Sequence, residues 1–147
     1  MNIPDGYYAT PNPTDPTTMT YWRARAGRLT PWPARARYAP LLLKRDVPAD
    51  LHGADRHAWA RNWYAQHATP WHEALRATLT ADPDGCRARF AALTTRCVNC
   101  ARALADAKSK LLGFGPDCRR SLQLDDDALT ATVTPLIAAA HAAGTSA

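Results

Sequence analysis

The stretch from Arg96 to Cys118 reads RCVNCARALADAKSKLLGFGPDC and holds three of the four cysteines of this 147-residue chain. Cys97 and Cys100 have the C-x2-C spacing, with which two thiolates reach one ion from a tight turn. Cys118 follows after a glycine-rich turn. Because zinc is borderline-soft and accepts tetrahedral sulfur coordination, these three cysteines predict a site for Zn²⁺.

The residues between the cysteines favour this geometry. Asp106 is predicted to cap a short helix that Gly113 ends, because glycine adopts the left-handed conformation of a helix C-terminus. Pro116 then blocks any continuation, and Asp117 is predicted to cap a further helix. Cys118 falls in the first turn of that helix, where the helix dipole lowers a thiol pKa and favours the thiolate.

The fourth ligand is not determined by the spacing. Cys86 is the favoured candidate, because thiolate is the preferred partner in structural zinc sites. It also falls on an apolar helical stripe, as a small core residue does. His67, His72 and Asp117 remain alternatives.

The cysteine segment resembles a small cysteine-rich family of unknown function from actinobacteria and their phages. Its members read C-x-x-C-G-R-x-L-T-D-x-x-S-x-x-x-G-I-G-P-x-C. Beyond the cysteines, the matching positions are Arg102, Leu104, Asp106, Ser109 and the GFGPDC run. Ala101 replaces the usual glycine and Ala105 the usual threonine, and neither change removes a ligand. The resemblance implies zinc binding and a role alongside nucleic acid or in phage biology, but no defined activity.

The rest of the chain predicts an α+β fold. Residues 1–50 form a small antiparallel β unit, with strands expected at GYYAT, MTYWRAR and LLLKR. Residues 51–95 are helical, residues 96–124 hold the zinc knuckle, and residues 125–147 form a C-terminal helical tail.

The helix boundaries follow from caps and prolines. One helix is expected over GADRHAWARNWYAQH, and a second starts at Thr69 and Pro70. Asp82 and Pro83 begin a third. In the tail, the acidic run at Asp125 favours a helix start. Pro135 then kinks or restarts that helix, with Thr134 as a cap, and Gly144 is expected as its C-cap.

Basic residues concentrate in two stretches. Seven of them and no acid lie in residues 23–45, and eight with two acids lie in residues 87–120. Arginine supplies 15 of the 18 positive charges, and its planar guanidinium binds phosphate bidentately and stacks on bases. Codon bias in a GC-rich genome is the alternative explanation. The predicted nucleic-acid contacts are Arg23, Arg25, Arg28, Trp32, Arg35, Arg37, Arg96, Arg102, Lys108, Lys110, Arg119 and Arg120.

Aromatic residues accompany these arginines. Trp32 is either a platform for stacking bases or a residue that packs its loop onto the core. Trp59, Trp63 and Trp71 are expected to pack in the core.

These patterns predict a zinc-stabilised protein of phage, plasmid or actinobacterial origin that binds DNA or RNA. The alternative is a protein-interaction module that modulates a host protein, and a zinc-containing nuclease is a weaker third. No catalytic constellation is recognisable, so we expect no enzyme. The chain also has no apolar run of membrane-spanning length and no signal-peptide pattern, so we expect a cytoplasmic protein with no membrane partner.

Overall fold

The computed structural model describes residues 2–145 as a three-stranded antiparallel sheet followed by helices, which confirms the α+β class. The strands are β1 (Gly6–Asn12), β2 (Asp15–Arg25) and β3 (Arg28–Pro31), and a 3-10 turn spans Lys44–Asp46. The helices are α1 (Gly53–Ala81), α2 (Pro83–Thr94), α3 (Ala107–Leu112), α4 (Pro116–Ser121), α5 (Asp126–Thr132) and α6 (Thr134–Thr145).

The sheet has the order β1-β2-β3. Its first two strands confirm the predicted strands, but the third prediction, at LLLKR, is wrong. Residues 41–43 contain no strand, and the third strand is Arg28–Pro31. It pairs with β2 through a two-residue turn at Ala26 and Gly27, whose φ angles of 50° and 76° suit the right-handed twist of a hairpin.

Both faces of the sheet are covered. Successive side chains of a strand point to opposite faces, so Tyr7 and Tyr8 enter different core clusters. Tyr8 packs with Trp22 against the C-terminal half of α1, whose Leu75 is fully buried. On the opposite face, Tyr7 stacks on Phe90 of α2, with 5.3 Å between ring centroids. The strand GYYAT is therefore apolar without alternation, because neither of its faces is exposed to solvent.

Helix α1 runs unbroken from Gly53 to Ala81 with Pro70 inside it, so the predicted break at Thr69 is wrong. The predicted stripe beginning at Trp71 is buried, whereas Trp59 and Trp63 are only half-buried. The expectation that these two tryptophans pack in the core is wrong, because the N-terminal half of α1 extends past the sheet and has no buried residue.

The remaining caps divide between confirmed and corrected predictions. Asp82 accepts a 3.0 Å hydrogen bond from the Gly85 N–H, and Asp125 accepts one of 3.0 Å from the Ala128 N–H. Helix α6 restarts at Thr134, which confirms the restart predicted around Pro135. Thr134 lies within α6 and its hydroxyl donates to the Leu111 carbonyl at 2.8 Å, so the prediction of Thr134 as the cap is wrong. Gly144 lies inside α6, so it does not cap the helix. Among residues 2–145, no helix combines the length and the apolar character that crossing a membrane requires.

Candidate metal centre

Three cysteine thiols meet at one point of the fold. The Sγ atoms of Cys97, Cys100 and Cys118 all lie within 4.8 Å of one another. Cys97 and Cys118 are buried, and Cys100 is exposed. Zinc–sulfur bonds of about 2.3 Å place tetrahedral sulfur ligands about 3.8 Å apart, so a single ion fits among the three with small side-chain adjustments. The prediction that these thiols converge is confirmed.

A tight hairpin of backbone presents the first two thiols. The Cys97 N–H donates to the Arg102 carbonyl at 2.9 Å, and the Ala101 N–H donates to the Cys97 carbonyl at 2.8 Å. Arg96 and Ala103 form an antiparallel bridge at the base of the turn. Ala101 has a φ of 62°, a left-handed conformation that favours glycine. This geometry explains why glycine suits the position and why alanine there carries strain.

Hydrogen bonds to the sulfur of Cys97 favour its thiolate form. Burial raises the pKa of Cys97, but hydrogen bonds from the backbone N–H groups of Gly115, Asn99 and Cys100 outweigh it, so the net pKa lies below its usual value. Thiolate is the form that binds a metal, and donors directed at sulfur stabilise it before the metal arrives.

For the Cys118 thiol, the effects that raise the pKa outweigh those that lower it. Burial, together with the neighbouring thiols Cys97 and Cys100, raises its pKa to about 11, although the Asn99 side-chain amide donates to its Sγ at 3.3 Å. Three adjacent thiolates repel one another, so the cluster retains protons until a cation replaces them. The donor set and its charge therefore fit a divalent, borderline-soft ion.

Helices α3 and α4 position Cys118. Asp106 caps α3 by accepting a 2.9 Å hydrogen bond from the Ser109 N–H, and Gly113 ends the helix with a φ of 76°, both as predicted. Helix α4 has Gly115 as its N-cap, so the prediction of Asp117 in that role is wrong. Asp117 instead lies in the first turn of α4 and forms ion pairs with exposed arginines.

Cys86 lies apart from the three thiols and packs in the core cluster with Tyr8 and Trp71. A helix rises about 1.5 Å per residue, so α2 carries the chain about 12 Å between Cys86 and the helix end at Thr94. Burial raises the pKa of the Cys86 thiol, which opposes the form that binds a metal. The structure thus corrects the prediction of Cys86 as fourth ligand in favour of a core role.

The alternative fourth ligands are also engaged elsewhere. His67 stacks on Trp63 with 4.5 Å between ring centroids, and its Nδ1 lies 2.8 Å from the Trp63 carbonyl oxygen. His72 packs edge-on against Trp71. No histidine, carboxylate or further cysteine of residues 2–145 joins the three-thiol group.

Several predicted nucleic-acid contacts prove to be structural. The Arg119 side chain is only 12% exposed, and it donates to the Ser109 hydroxyl at 2.9 Å and to the Phe114 carbonyl at 2.7 Å. Arg96 donates to the Ala101 carbonyl at 2.8 Å and lies over the Trp32 ring. The predicted roles of Arg119 and Arg96 in nucleic-acid contact disagree with these internal bonds.

Three other basic side chains of the second stretch are exposed and form ion pairs. Arg102 and Arg120 both bridge to Asp117, and Lys108 pairs with Asp126. Lys110 has no ion pair among the described residues. Four of the eight basic residues in 87–120 thus share the carboxylates of Asp117 and Asp126, and the other four, Arg87, Arg89, Arg96 and Lys110, form no ion pair within residues 2–145.

Trp32 belongs to an aromatic cluster with Tyr7, Tyr21 and Phe90. Arg96 lies over its ring, 5.7 Å from the centroid. The ring is half-buried and one of its faces is covered, which favours the loop-packing alternative over a stacking platform.

The first basic stretch differs from the second. Arg23, Arg25, Arg28, Arg35 and Arg37 are all exposed, and none of the five forms an ion pair within residues 2–145. Arg25 and Arg28 lie directly opposite each other in the β2–β3 register. Five exposed arginines without an ion pair therefore lie on the β2–β3 hairpin and the loop after it.

An open cavity of about 720 Å³, which sequence reasoning did not foresee, adjoins this loop. Trp22, Leu29, Tyr38 and His72 line it together with Arg35 and Arg37. The Tyr38 hydroxyl donates to the Trp32 carbonyl at 2.7 Å, which fixes the ring. Burial raises the pKa of that hydroxyl, so it stays protonated at neutral pH.

Comparison with known proteins finds a match for one segment. No curated protein and no solved structure matches the chain. The matched segment includes all three clustered cysteines, the hairpin that carries two of them, and helices α3 and α4. Residues 87–123 are similar to DUF6011, a family of unknown function.

Proposed function

We propose that this chain binds one zinc ion through Cys97, Cys100 and Cys118, and that the fold so stabilised binds nucleic acid through the arginines of the β2–β3 hairpin and the following loop. The role is one of binding rather than catalysis.

The convergence of the three thiols within 4.8 Å carries the metal part of the proposal. Sulfur ligands select soft and borderline ions, and zinc is the commonest structural ion with such ligands. Since the Cys97 hairpin contacts the sheet and α4 holds Cys118, the ion joins segments that are separate in sequence. Its binding free energy then contributes directly to folding. Elemental analysis of protein purified without chelators tests this, with one equivalent of zinc expected and no metal contradicting it.

The nucleic-acid part of the proposal rests on arginines that form no ion pair within the described residues. Like charges directly opposite each other in a sheet are destabilising, and Arg25 faces Arg28 across the hairpin. A bound phosphate relieves that repulsion and releases counterions from the nucleic acid, so affinity should fall steeply with salt.

The cavity beside Tyr38 supports a preference for single strands. A fixed aromatic ring next to Arg35 and Arg37 offers a stacking surface for an unpaired base and guanidinium groups for its phosphate. Bases within a duplex stack on one another and cannot enter such a cavity. We therefore propose tighter binding to single-stranded than to double-stranded nucleic acid.

Fluorescence anisotropy with labelled single- and double-stranded DNA and RNA, over a range of salt, tests this part. The double change Arg25→Ala/Arg28→Ala removes two facing like charges, so it should not unfold the hairpin. It should flatten the plot of log affinity against log salt by about one unit for each phosphate that these arginines neutralise. The control Arg61→Ala/Arg76→Ala makes the same change of charge on α1 and should leave the slope unchanged.

The projecting half of α1 favours a second candidate function, protein interaction. Trp59 and Trp63 are half-buried there, and Tyr64 is exposed. Aromatic residues of this kind are enriched at protein interfaces. If none of the four nucleic acids binds at low salt, the nucleic-acid proposal fails and this candidate takes precedence.

A further inference from the structure

The three-thiol group opens onto a cavity of about 420 Å³. Cys100 and Cys118 line it, together with Arg102, Leu104 and Ser121. Cys97 is fully buried on the far side of the group and is absent from the lining. Two of the three ligands therefore face an open space rather than packed protein.

Structural zinc sites are closed by four protein ligands, whereas sites with three keep a position for an external ligand. The described residues supply three donors, and no other cysteine, histidine or carboxylate joins them. Within residues 2–145, the three thiols therefore lie without a fourth side chain of the kinds that zinc prefers.

Asp117 is the nearest rival in sequence, and its carboxylate is already engaged. Arg102 approaches one oxygen at 3.5 Å, and Arg120 bonds the other. A carboxylate that turned toward the thiols would leave both guanidinium groups unpaired and would place its negative charge beside three thiolates. In the structure the Asp117 carboxylate lies at the cavity wall and outside the three-thiol group.

We infer that the cavity is a ligand site of the metal centre, where a small external molecule with one nitrogen or sulfur lone pair completes the coordination in place of solvent. This inference rests on the proposed zinc binding. The lining fits such a molecule, because Leu104 offers apolar contact and Arg102, with its side chain 80% exposed, offers a positive charge to an anionic donor.

Zinc X-ray absorption on the full chain in thiol-free buffer tests the ligand count. We expect three sulfur neighbours at about 2.3 Å and one oxygen or nitrogen neighbour at about 2.0–2.2 Å. Cys86→Ala and Asp117→Asn should leave that pattern unchanged. Four sulfur neighbours, or a changed light-atom shell in Asp117→Asn, would overturn the inference.

Titration of the cobalt-substituted chain with imidazole or 2-mercaptoethanol tests access through the cavity. The visible cobalt bands should shift as either molecule binds. Ala103 is exposed and lines the cavity, so Ala103→Trp should raise the concentration needed by at least about tenfold, a factor that corresponds to about 1.4 kcal/mol. Ala105 is exposed outside the lining, and Ala105→Trp should respond as the unchanged chain does.

The inference would be overturned if neither molecule shifted the cobalt bands, or if the two tryptophan variants required the same concentration for the shift. Either result would leave zinc binding intact. A chain that holds neither zinc nor cobalt would overturn the metal proposal as well. Elemental analysis before the titration distinguishes these two failures.

Discussion

The backbone N–H of Tyr7 donates a 2.8 Å hydrogen bond to the carbonyl oxygen of Val98, the first residue inside the C-x2-C turn. The N–H of Val98 donates in turn to the Gly113 carbonyl at 3.0 Å. The cysteine turn is thus held between the first strand of the sheet and the end of α3. A metal bound in this turn therefore stabilises the sheet as well as the knuckle, and we expect both to unfold in one transition.

Gly6→Ala should weaken this junction. Gly6 has a φ of 146°, and a Cβ added there would lie 2.9 Å from the Val98 carbonyl oxygen, so the substitution brings backbone strain and a clash. We expect a loss of roughly 2–3 kcal/mol in the free energy of unfolding, measured by urea denaturation. Gly53→Ala is the control, since Gly53 also has a positive φ but no atom within 4 Å of the added Cβ. It should cost only about 1 kcal/mol, and equal losses would contradict the role of the Val98 contact.

Cys97→Ala and Cys118→Ala should abolish stoichiometric zinc binding and lower the thermal midpoint, because each removes one of three protein ligands. Cys86→Ala should keep one zinc per chain and cost roughly 1–2 kcal/mol, as expected for a small cavity left in the core. Elemental analysis and thermal denaturation of the three variants provide the comparison. Zinc loss in Cys86→Ala equal to that in Cys97→Ala would restore Cys86 as a ligand.

Arg119→Ala should destabilise the fold by roughly 2 kcal/mol. The change leaves the fully buried Ser109 hydroxyl and the Phe114 carbonyl without their charged donor. Arg120→Ala is the matched control, since its side chain is 77% exposed and its ion pair within the described residues is with Asp117 on the surface. That change should stay within about 0.5 kcal/mol. Similar losses in urea denaturation of the two variants would refute the structural role of Arg119.

Local rules in the sequence were sufficient for three aspartate N-caps and for the three clustered thiols, although they failed for the caps predicted at Asp117 and Gly144. Asp82, Asp106 and Asp125 each accept the backbone hydrogen bond that their position predicts, since a cap depends only on residues within one helical turn. The cysteine spacing likewise acts through a local turn.

Other features of the fold depend on tertiary packing, and the sequence pattern therefore did not predict them. Pro70 lies inside α1 because the buried stripe from Trp71 onward holds the helix against the sheet, which outweighs a local tendency to break. The place of Cys86 depended on which side of α2 the knuckle docks, and no spacing rule encodes that. The role of Arg119 was hidden because a buried arginine and a phosphate-binding arginine look identical in sequence.

Thr95→Gly should stabilise the protein by about 0.5–1 kcal/mol. Thr95 ends α2 with a φ of 54°, and its side chain is exposed. Its backbone contacts, from its own N–H to Ala91 and from the Leu104 N–H to its carbonyl, do not depend on the side chain. A β-branched residue in this left-handed conformation carries about 1–2 kcal/mol of strain, and the added freedom of glycine in the unfolded chain offsets only part of it.

Thr94→Gly is the control for this prediction, because it places the same change one residue earlier, within the helix. There the Thr94 hydroxyl donates to the Phe90 carbonyl at 2.6 Å, and glycine is a poor helix former. We expect Thr94→Gly to destabilise the protein by about 1 kcal/mol, so the two neighbouring substitutions should have opposite signs in urea denaturation. If both lower the stability, the left-handed threonine stores no strain, and the turn that leads from α2 into Cys97 must be held by side-chain contacts instead.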